Sequence, residues 1–170
     1  MNNEEVIVRF CKEDEWEQIN RIRKEVHVLH TGHRPDFFKE EGWDAIRDLV
    51  KVRFSSDHED VVVALLEDRI VGFAIVQYVS IQESPFRPGR DICHIEEFGV
   101  AEDYRRRGVA TKLIDFIKKD ASQRGLKKLE LNMWEFNESA FAFYDSVGFR
   151  TYRKDLELFL DEPDNGAASV

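Results

Sequence analysis

Residues 98–114 read FGVAEDYRRRGVATKLI, and this stretch decides how the chain folds. Its first residues end the β-like run ICHIEEFGV at 92–100, and its last residues begin a pattern with an apolar side chain every three or four positions. Three arginines lead into Gly108, where the helical pattern begins. The first N–H groups of a helix lack intrahelical acceptors, and the helix dipole favours anions there. The stretch therefore predicts a strand, a turn and a helix, with the turn either seating a phosphate or forming only a solvated basic surface.

The remaining hydrophobic pattern predicts a mixed α/β chain. Alternating and β-branched runs predict strands at 6–10, 61–67, 69–79, 92–100, 126–134 and 149–160, with a hairpin joined at Glu67 and Asp68. Helical spacing predicts two helices before this hairpin, one helix after Gly108 and one that begins at Asn137. The prolines and glycine of QESPFRPGRD predict a loop before the fourth strand. This order predicts a mixed sheet with helices packed on it, an α/β sandwich.

The composition predicts one domain over residues 1–170, with its core at 6–160 and a disordered tail at 162–170. Hydrophobic residues make up 42% of the chain, and 13 residues are Phe, which is enough for a packed core. The net charge of −9 gives no support for nucleic-acid binding, and no apolar run has the ~20 residues that a membrane span needs. Without a secretory signal, and with Cys11 and Cys93 lacking metal-ligand spacing, we expect a cytoplasmic protein with reduced thiols and no metal.

In this context the turn resembles the phosphate loop of the GNAT superfamily, whose members transfer an acyl group from acyl-coenzyme A to an amine. The family pattern is [Q/R]-x-x-G-x-[G/A], and Arg105-Arg106-Arg107-Gly108-Val109-Ala110 satisfies it. The stretch NESAFAFYDSVGF at 137–149 is similar to a second family signature, and the order of elements resembles the family over residues 6–160. The resemblance implies one N-acetyltransferase domain, built on a mostly antiparallel central sheet with about four flanking helices in an α/β/α sandwich.

The resemblance also implies where acetyl-CoA binds. The pyrophosphate would lie on the phosphate loop and the start of its helix, formed by Arg105, Arg106, Arg107, Gly108, Val109, Ala110 and Thr111. The pantetheine arm would pair with the main chain of Phe98, Gly99 and Val100, on a strand that bulges and separates from its neighbour in the family. Gly99 is consistent with such a bulge. Asn137 matches a family residue that contacts pantetheine, and the alternative is that it only caps its helix.

Transfer to an amine requires a group that takes the proton of the amine and a group that protonates the departing thiolate. Tyr144 matches the family tyrosine near the sulfur, and the alternative is a core tyrosine with no chemical role. Alternation along the strand places His94 and Glu96 on one face, with Glu97 on the other unless a bulge falls early. The family carries a glutamate on this strand, so Glu96 is the predicted base. His94, with an ordinary pKa near 6.5, and Glu97 are the alternatives, and direct attack in a ternary complex is expected.

The acceptor is expected to be a primary amine of a small molecule or peptide. In the family its site is usually built by the first two helices, their connection and the loop before the central strand, here 28–38 and 82–91. The acidic composition favours a cationic amine. A homodimer that uses the C-terminal strand is a further expectation by analogy. The alternative to an enzyme is a catalytically silent module that binds acyl-CoA, because function does not follow from fold.

Overall fold

The computed structural model describes residues 5–160, and the predicted disordered tail lies outside them. The strands are β1 (Ile7–Phe10), β2 (Glu59–Leu66), β3 (Arg69–Ile81), β4 (Arg90–Val100) and β5 (Leu129–Leu131). The helices are α1 (Trp16–His33), α2 (Trp43–Arg47), α3 (Val50–Arg53), α4 (Val109–Gln123) and α5 (Glu138–Ser146).

The five strands form one sheet in the order β1-β2-β3-β4-β5. The first four are antiparallel to their neighbours, whereas β5 is parallel to β4 and is reached through α4. The predicted hairpin is confirmed: β2 and β3 are joined at Glu67 and Asp68, whose φ angles are 49° and 60°. Two consecutive left-handed residues give a turn whose twist matches that of the paired strands. The mostly antiparallel mixed sheet is therefore as predicted.

Helices cover both faces of this sheet. Successive residues of β2 point to opposite faces, so Val62 packs in the core beneath α4 whereas Val63 packs in the core beneath α1. The α4 core includes Leu113 and Ile117, and the α1 core includes Ile22. The two cores lie on opposite sides of the sheet, which confirms the α/β/α sandwich.

The second predicted helix is broken into pieces. A 3₁₀ turn over Glu40–Gly42 precedes α2, and the N–H of Leu49 donates to the carbonyl of Ile46, at 3.2 Å, in a tight turn before α3. In this stretch Val50 is buried but Leu49 and Val52 are more than half exposed. Short helices depend on tertiary packing, and here only a narrow apolar strip meets the core.

The predicted strand at 149–160 is wrong. Residues 151–159 have no regular secondary structure, and the backbone of 150–160 makes no hydrogen bond to other backbone groups of the described residues. A strand requires a neighbour for its N–H and C=O groups. The apolar side chains of this segment are consequently left outside the core of the chain.

Candidate active site

The turn between β4 and α4 adopts an unusual backbone. A 3₁₀ turn over Glu102–Tyr104 is followed by Arg106 with φ of 60° and by Gly108 with φ of 80°, and α4 begins at Val109. Left-handed residues in such a turn point successive N–H groups into one concavity, which suits an anion. The predicted strand, turn and helix are therefore present, with Gly108 at the N-cap of α4.

Six consecutive amides of this turn are available to a ligand. Within residues 5–160, none of the N–H groups from Arg106 to Thr111 donates to a backbone carbonyl, and the next amide, of Lys112, donates to the carbonyl of Gly108 at 3.0 Å. The side chain of Val109 is buried in the α4 core, whereas Gly108 is exposed. The core thus anchors the helix start while its amides face outward.

The three arginines of the turn lie on the surface around these amides. Arg105, Arg106 and Arg107 are all exposed. Arg105 Nε donates to the carbonyl of Val100 at 3.2 Å, and the guanidinium of Arg107 lies 5.2 Å from the centre of the Tyr104 ring. Of the next two residues, Ala110 is half-buried and Thr111 is exposed. The turn therefore carries positive side chains at the same end of α4 where the dipole is positive.

The sheet opens beside this turn. β4 pairs with β5 only at Cys93, His94 and Ile95, opposite Leu129–Leu131. β5 then ends, whereas β4 continues for five residues to Val100. Beyond Ile95 the edge of β4 that faces β5 has no strand partner within the described residues. The gap leads along β4 to the amides at the start of α4.

The β4 strand bulges at Glu96, not at Gly99. Ile75 of β3 lies opposite Glu97 and Val76 lies opposite Ile95, so Glu96 is an extra residue in β4. The alternative of an early bulge is therefore confirmed: alternation is interrupted at Glu96, and Ile95 and Phe98, three apart, both pack toward the α4 core.

Gly99 has a different role from the one expected. A Cβ on Gly99 would lie 2.8 Å from Cε1 of Phe73 and 3.2 Å from Cγ2 atoms of Ile22 and Val26. The missing side chain therefore lets α1 approach the sheet. The bulge occurs three residues earlier, at Glu96, on the other side of Phe98.

Glu97 is engaged in an ion pair with α1. Arg23 Nε and Nη2 donate to the two carboxylate oxygens of Glu97 at 2.7 and 2.8 Å, and Nη1 donates to Asn20 Oδ1 at 2.9 Å. Arg23 is only 6% exposed, so this bidentate pair neutralises a buried charge. Arg23 was not predicted as part of the site, although its position one residue after Ile22 on the apolar stripe was a signal. The pair leaves Glu97 poorly suited to act as a base.

The other two candidate bases lie together. His94 Nε2 is 3.6 Å from Glu96 Oε2, and the side chain of Glu96 is 41% exposed. No Lys or Arg of residues 5–160 forms a salt bridge with Glu96. The bulge thus presents an exposed carboxylate at the point where β4 and β5 separate.

Tyr144 lies against the same strand from α5. Its ring is 6.0 Å from that of Phe98, edge to face, and 5.6 Å from that of Phe149. Burial raises the pKa of Tyr144 to about 12. Because the phenol is neutral at pH 7, it can donate a hydrogen bond or a proton.

Asn137 caps α5 as predicted. Its Oδ1 accepts a hydrogen bond from the N–H of Ala140 at 3.1 Å. Phe143, two turns further on, stacks on Phe98 with ring centres 6.0 Å apart. The cap and this contact fix α5, and with it Tyr144, beside β4.

A cluster of aromatic rings joins the α1–α2 connection to the loop after β5. We call it the aromatic wall; it consists of His30, His33, Phe37, Phe38, Trp134 and Phe136. The closest pair, His33 and Phe136, has ring centres 4.4 Å apart, and Phe38 lies 5.0 Å from His30 and 5.3 Å from Trp134. Residues 28–38 were expected near the acceptor, but their aromatic partners in the loop after β5 were not predicted. The aromatic residues of LNMWEF at 131–136 were the available signal.

Burial and the charge of Glu97 shift the pKa of His30, a member of this wall, in opposite directions. Burial lowers the pKa of His30, and the nearby Glu97 only partly opposes this effect. Arg34 lies with its guanidinium 4.9 Å from the centre of the Trp134 ring and forms salt bridges with Asp36 and Glu157. Two carboxylates beside the wall, those of Asp36 and Glu157, are therefore paired with Arg34, whereas the exposed Glu135, between Trp134 and Phe136, forms no salt bridge within residues 5–160.

Other kinds of site find little support in this part of the chain. Among residues 5–160, no group of three or more His, Cys, Asp or Glu side chains is placed to hold a metal ion. Cys11 and Cys93 are both free thiols, and burial raises the pKa of each to about 12, which disfavours the reactive thiolate. None of the helices in the described ranges combines the length and hydrophobicity needed to cross a bilayer.

A mixed sheet that opens beside a helix start with unpaired amides is the architecture expected of the acyl-CoA transferases that the turn resembles. The chain belongs to the Acetyltransferase (GNAT) family, whose sequence profile matches residues 16–149. This match confirms the family resemblance that the sequence indicated.

Two relatives of this chain are named N-acetyltransferases. N-alpha-acetyltransferase 30 of Schizosaccharomyces pombe is 28% identical over 102 residues, 60% of this chain and 65% of the relative. Glucosamine 6-phosphate N-acetyltransferase of Trypanosoma brucei brucei is 33% identical over 92 residues, 54% of this chain and 58% of the relative. The chain thus spans less than two thirds of each of these relatives.

Solved structures share the fold. A mutant BH1408 protein from Bacillus halodurans superposes with a TM-score of 0.87 at 24% identity, over 91% of this chain and 99% of that one. The aminoglycoside N-acetyltransferase AAC(6′)-Iy, in complex with CoA, superposes with a TM-score of 0.72 at 16% identity, over 93% and 96% of the two chains. At these identities the likeness concerns the fold alone.

Proposed function

We propose that this protein is an N-acetyltransferase that transfers the acetyl group of acetyl-CoA to a primary amine of a small molecule or peptide. The observation that carries the proposal is the run of six amides from Arg106 to Thr111, which have no backbone acceptor among residues 5–160 and lie at the end of the gap between β4 and β5. Such amides with nearby arginines fit a pyrophosphate. The unpaired edge of β4 from Phe98 to Val100 fits an amide-containing pantetheine arm.

The residues beside this gap fit the proton transfers that the reaction requires. Acetyl-CoA supplies an acetyl group activated as a thioester. Glu96, at the bulge, accepts a proton from the attacking amine, either directly or through His94, 3.6 Å away. Tyr144 donates its phenolic proton toward the departing sulfur, because its raised pKa keeps the phenol protonated before transfer. The amine attacks directly, because neither Cys thiol is suited to form an acyl-enzyme.

The aromatic wall favours an acceptor whose amine is attached to an apolar body. Phe37 is 65% exposed, and Leu29 on α1 is also exposed. The carboxylates of Asp36, Glu97 and Glu157 are held by arginines, so these three leave little charge for a second cationic group; the exposed Glu135 is the unpaired carboxylate beside Trp134 and Phe136. We therefore propose a monoamine or peptide amine with an apolar or aromatic side, in preference to a polyamine. Higher kcat/KM for a polyamine or aminoglycoside than for an arylalkylamine would contradict this choice.

Kinetic measurements with a panel of amines distinguish an acetyltransferase from a catalytically silent module that only binds acyl-CoA. We expect release of CoA from acetyl-CoA that depends on the amine, and a fall of kcat of about 100-fold in Glu96→Gln and in Tyr144→Phe. Both variants should bind acetyl-CoA with the affinity of the unsubstituted protein. Binding without turnover across the panel would favour the silent module. Glu17→Gln, which changes an exposed glutamate in the first turn of α1, serves as the matched control and should keep full activity.

A further inference from the structure

Glu96 is held less firmly by the sheet than its neighbours in β4. The register between β3 and β4 gives Ile95 and Glu97 a partner each but gives Glu96 none. On the other edge, the pairing with β5 ends at Ile95, so no strand of residues 5–160 lies beside Glu96 there. A bulged residue without a partner takes its direction from the residues on either side of it. Whatever fixes Glu97 therefore also fixes where the carboxylate of Glu96 points.

Arg23 fixes Glu97 from α1. Its Nε and Nη2 groups donate to the two oxygens of the Glu97 carboxylate at 2.7 and 2.8 Å. Any rotation of this carboxylate would break charge-assisted hydrogen bonds, which are stronger than those between neutral groups. The side chain of Arg23 is 6% exposed and that of Glu97 is 31% exposed. The arginine is thus the anchored member of the pair, from which the bulge is held.

The third nitrogen of the same guanidinium holds α2. Arg23 Nη1 donates to Asn20 Oδ1 at 2.9 Å, within α1. It also donates to the carbonyls of Ile46 and Arg47, each at 3.2 Å. These two residues lie in the last turn of α2, where a positive charge interacts favourably with the helix end. One buried side chain therefore joins α1, α2 and the bulge of β4.

The side of α1 that carries Arg23 faces the region where the acceptor is expected. His27, one turn after Arg23, lies with its ring centre 5.8 Å from that of Trp43 in α2. His30, two turns after Arg23, belongs to the aromatic wall and stacks on Phe38. Residues at these spacings share one side of a helix. Arg23 therefore stands where the acceptor region meets the bulge.

We propose that Arg23 is a positioning residue for acetyl transfer, which holds the bulge through Glu97 so that Glu96 is directed at the acceptor amine. This inference rests on the proposed function, because it assigns Arg23 a part in that reaction. Arg23 acts through Glu97 and Glu96 and not by contact with the reacting atoms. Lysine does not replace it, since a single ammonium group cannot reproduce the planar, two-pronged contact of a guanidinium.

Kinetics of Arg23→Lys test this role. We expect kcat to fall by about 10-fold, because misplacement of a catalytic group by about 1 Å can cost as much as about 100-fold. The Kd for acetyl-CoA should not change. The double variant Arg23→Lys/Glu96→Gln should be no slower than Glu96→Gln alone, because residues that act as a unit are not additive. Arg21→Lys, which changes an exposed arginine of the same helix, is the matched control and should keep full kcat.

Two kinetic results would overturn the positioning role. One is an unchanged kcat in Arg23→Lys, measured where circular dichroism shows the variant to be fully folded. The other is a double variant about 1,000-fold slower than the unsubstituted protein, since independent effects of about 10-fold and about 100-fold multiply. A contribution of Arg23 to stability alone would produce one of these two results.

Hydrogen exchange of the protein without ligand tests the hold on the bulge separately from catalysis. Arg23→Lys should speed amide exchange in peptides that cover 92–100 and 43–47, and should leave the hairpin at 61–76 unchanged, because only the first two segments contact the guanidinium. Ile19→Val, which removes a methyl group from a fully buried side chain one turn earlier in α1, is the control for a general loss of stability. The same exchange pattern in both variants would overturn the hold on the bulge. If the unsubstituted protein acetylates no amine, the proposed function fails, and the exchange comparison still decides whether Arg23 holds the bulge.

Discussion

Glu in place of Gly108 tests the phosphate seat, and the chain contains a matched control. Gly108 and Gly125 stand at opposite ends of α4, with φ angles of 80° and 77°. At both positions a Cβ would meet no atom within 4 Å. Gly108→Glu and Gly125→Glu therefore impose the same backbone strain without a steric clash, but only the first places a carboxylate among the amides from Arg106 to Thr111.

The two glutamate substitutions should lower the stability of the protein by similar amounts, but only Gly108→Glu should strongly lower the affinity for acetyl-CoA. A non-glycine residue in the left-handed region costs about 1–2 kcal/mol at either site, and the helix dipole makes the Gly125 variant less stable by at most about 1 kcal/mol. A carboxylate about 6 Å from a bound phosphate opposes one unit of its charge by about 3 kcal/mol at an effective dielectric constant of 20. This is roughly a 100-fold increase in Kd for Gly108→Glu. Gly108→Ala, which adds strain but no charge, should lose far less affinity.

Calorimetric titration with acetyl-CoA provides the affinities, and urea unfolding provides the stabilities. We expect Gly125→Glu to bind as the unsubstituted protein does, and the Kd of Gly108→Glu to rise by about two orders of magnitude. Equal affinity for the two glutamate variants would show that the amides of this turn do not hold the pyrophosphate. Equal losses for Gly108→Ala and Gly108→Glu would attribute the effect to backbone geometry instead of charge.

Three further substitutions test the packing and the charges that support the site. Glu97→Ala leaves buried Arg23 without its carboxylate and should reduce the free energy of unfolding, measured in urea, by about 3 kcal/mol. The double variant Arg23→Met/Glu97→Ala should recover most of this loss. An unchanged free energy of unfolding in Glu97→Ala would contradict a stabilising role for the ion pair. A hydrogen bond from Arg9 lowers the pKa of Glu15 to about 2, so this pair stabilises the fold above pH 4.5 and loses its contribution as the pH falls toward 2. Glu15→Gln should therefore lower stability at pH 7 by about 1–2 kcal/mol and flatten the dependence of Tm on pH below 4.5, whereas a parallel pH profile would refute this assignment. Gly99→Ala should cost about 1–3 kcal/mol, because its Cβ would overlap buried Phe73, and unaltered urea unfolding would show that α1 has room to shift.

The elements that sequence predicted well are those encoded by local patterns. The β2–β3 hairpin was read from two β-branched runs on either side of Glu67 and Asp68, and α4 was read from its apolar spacing after Gly108. The broken second helix and the missing last strand were not predicted. Their patterns were helical and strand-like, but each depends on a neighbour that local sequence does not describe.

In the candidate site, too, the parts predicted from the sequence are those that depend on local features. The turn from Arg105 to Thr111 was predicted because its glycine, its arginines and its position between strand and helix are local features. The bulge was not placed, since β4 gains its extra residue at Glu96 from the register with β3. That one residue turns Glu97 toward Arg23 of α1, whose partner lies 74 positions away in the chain.

By itself, the sequence determined the α/β alternation, the left-handed glycine that begins α4 and the family of the protein, because each depends on a pattern of residues that are close together in the chain. Only the tertiary structure decided that Glu97 is paired with a buried arginine, that Glu96 is presented at the gap and that the leucines of 151–160 remain uncovered. These features arise from contacts between residues distant in the chain, and their free energies depend on which surfaces meet, not on which residues are adjacent.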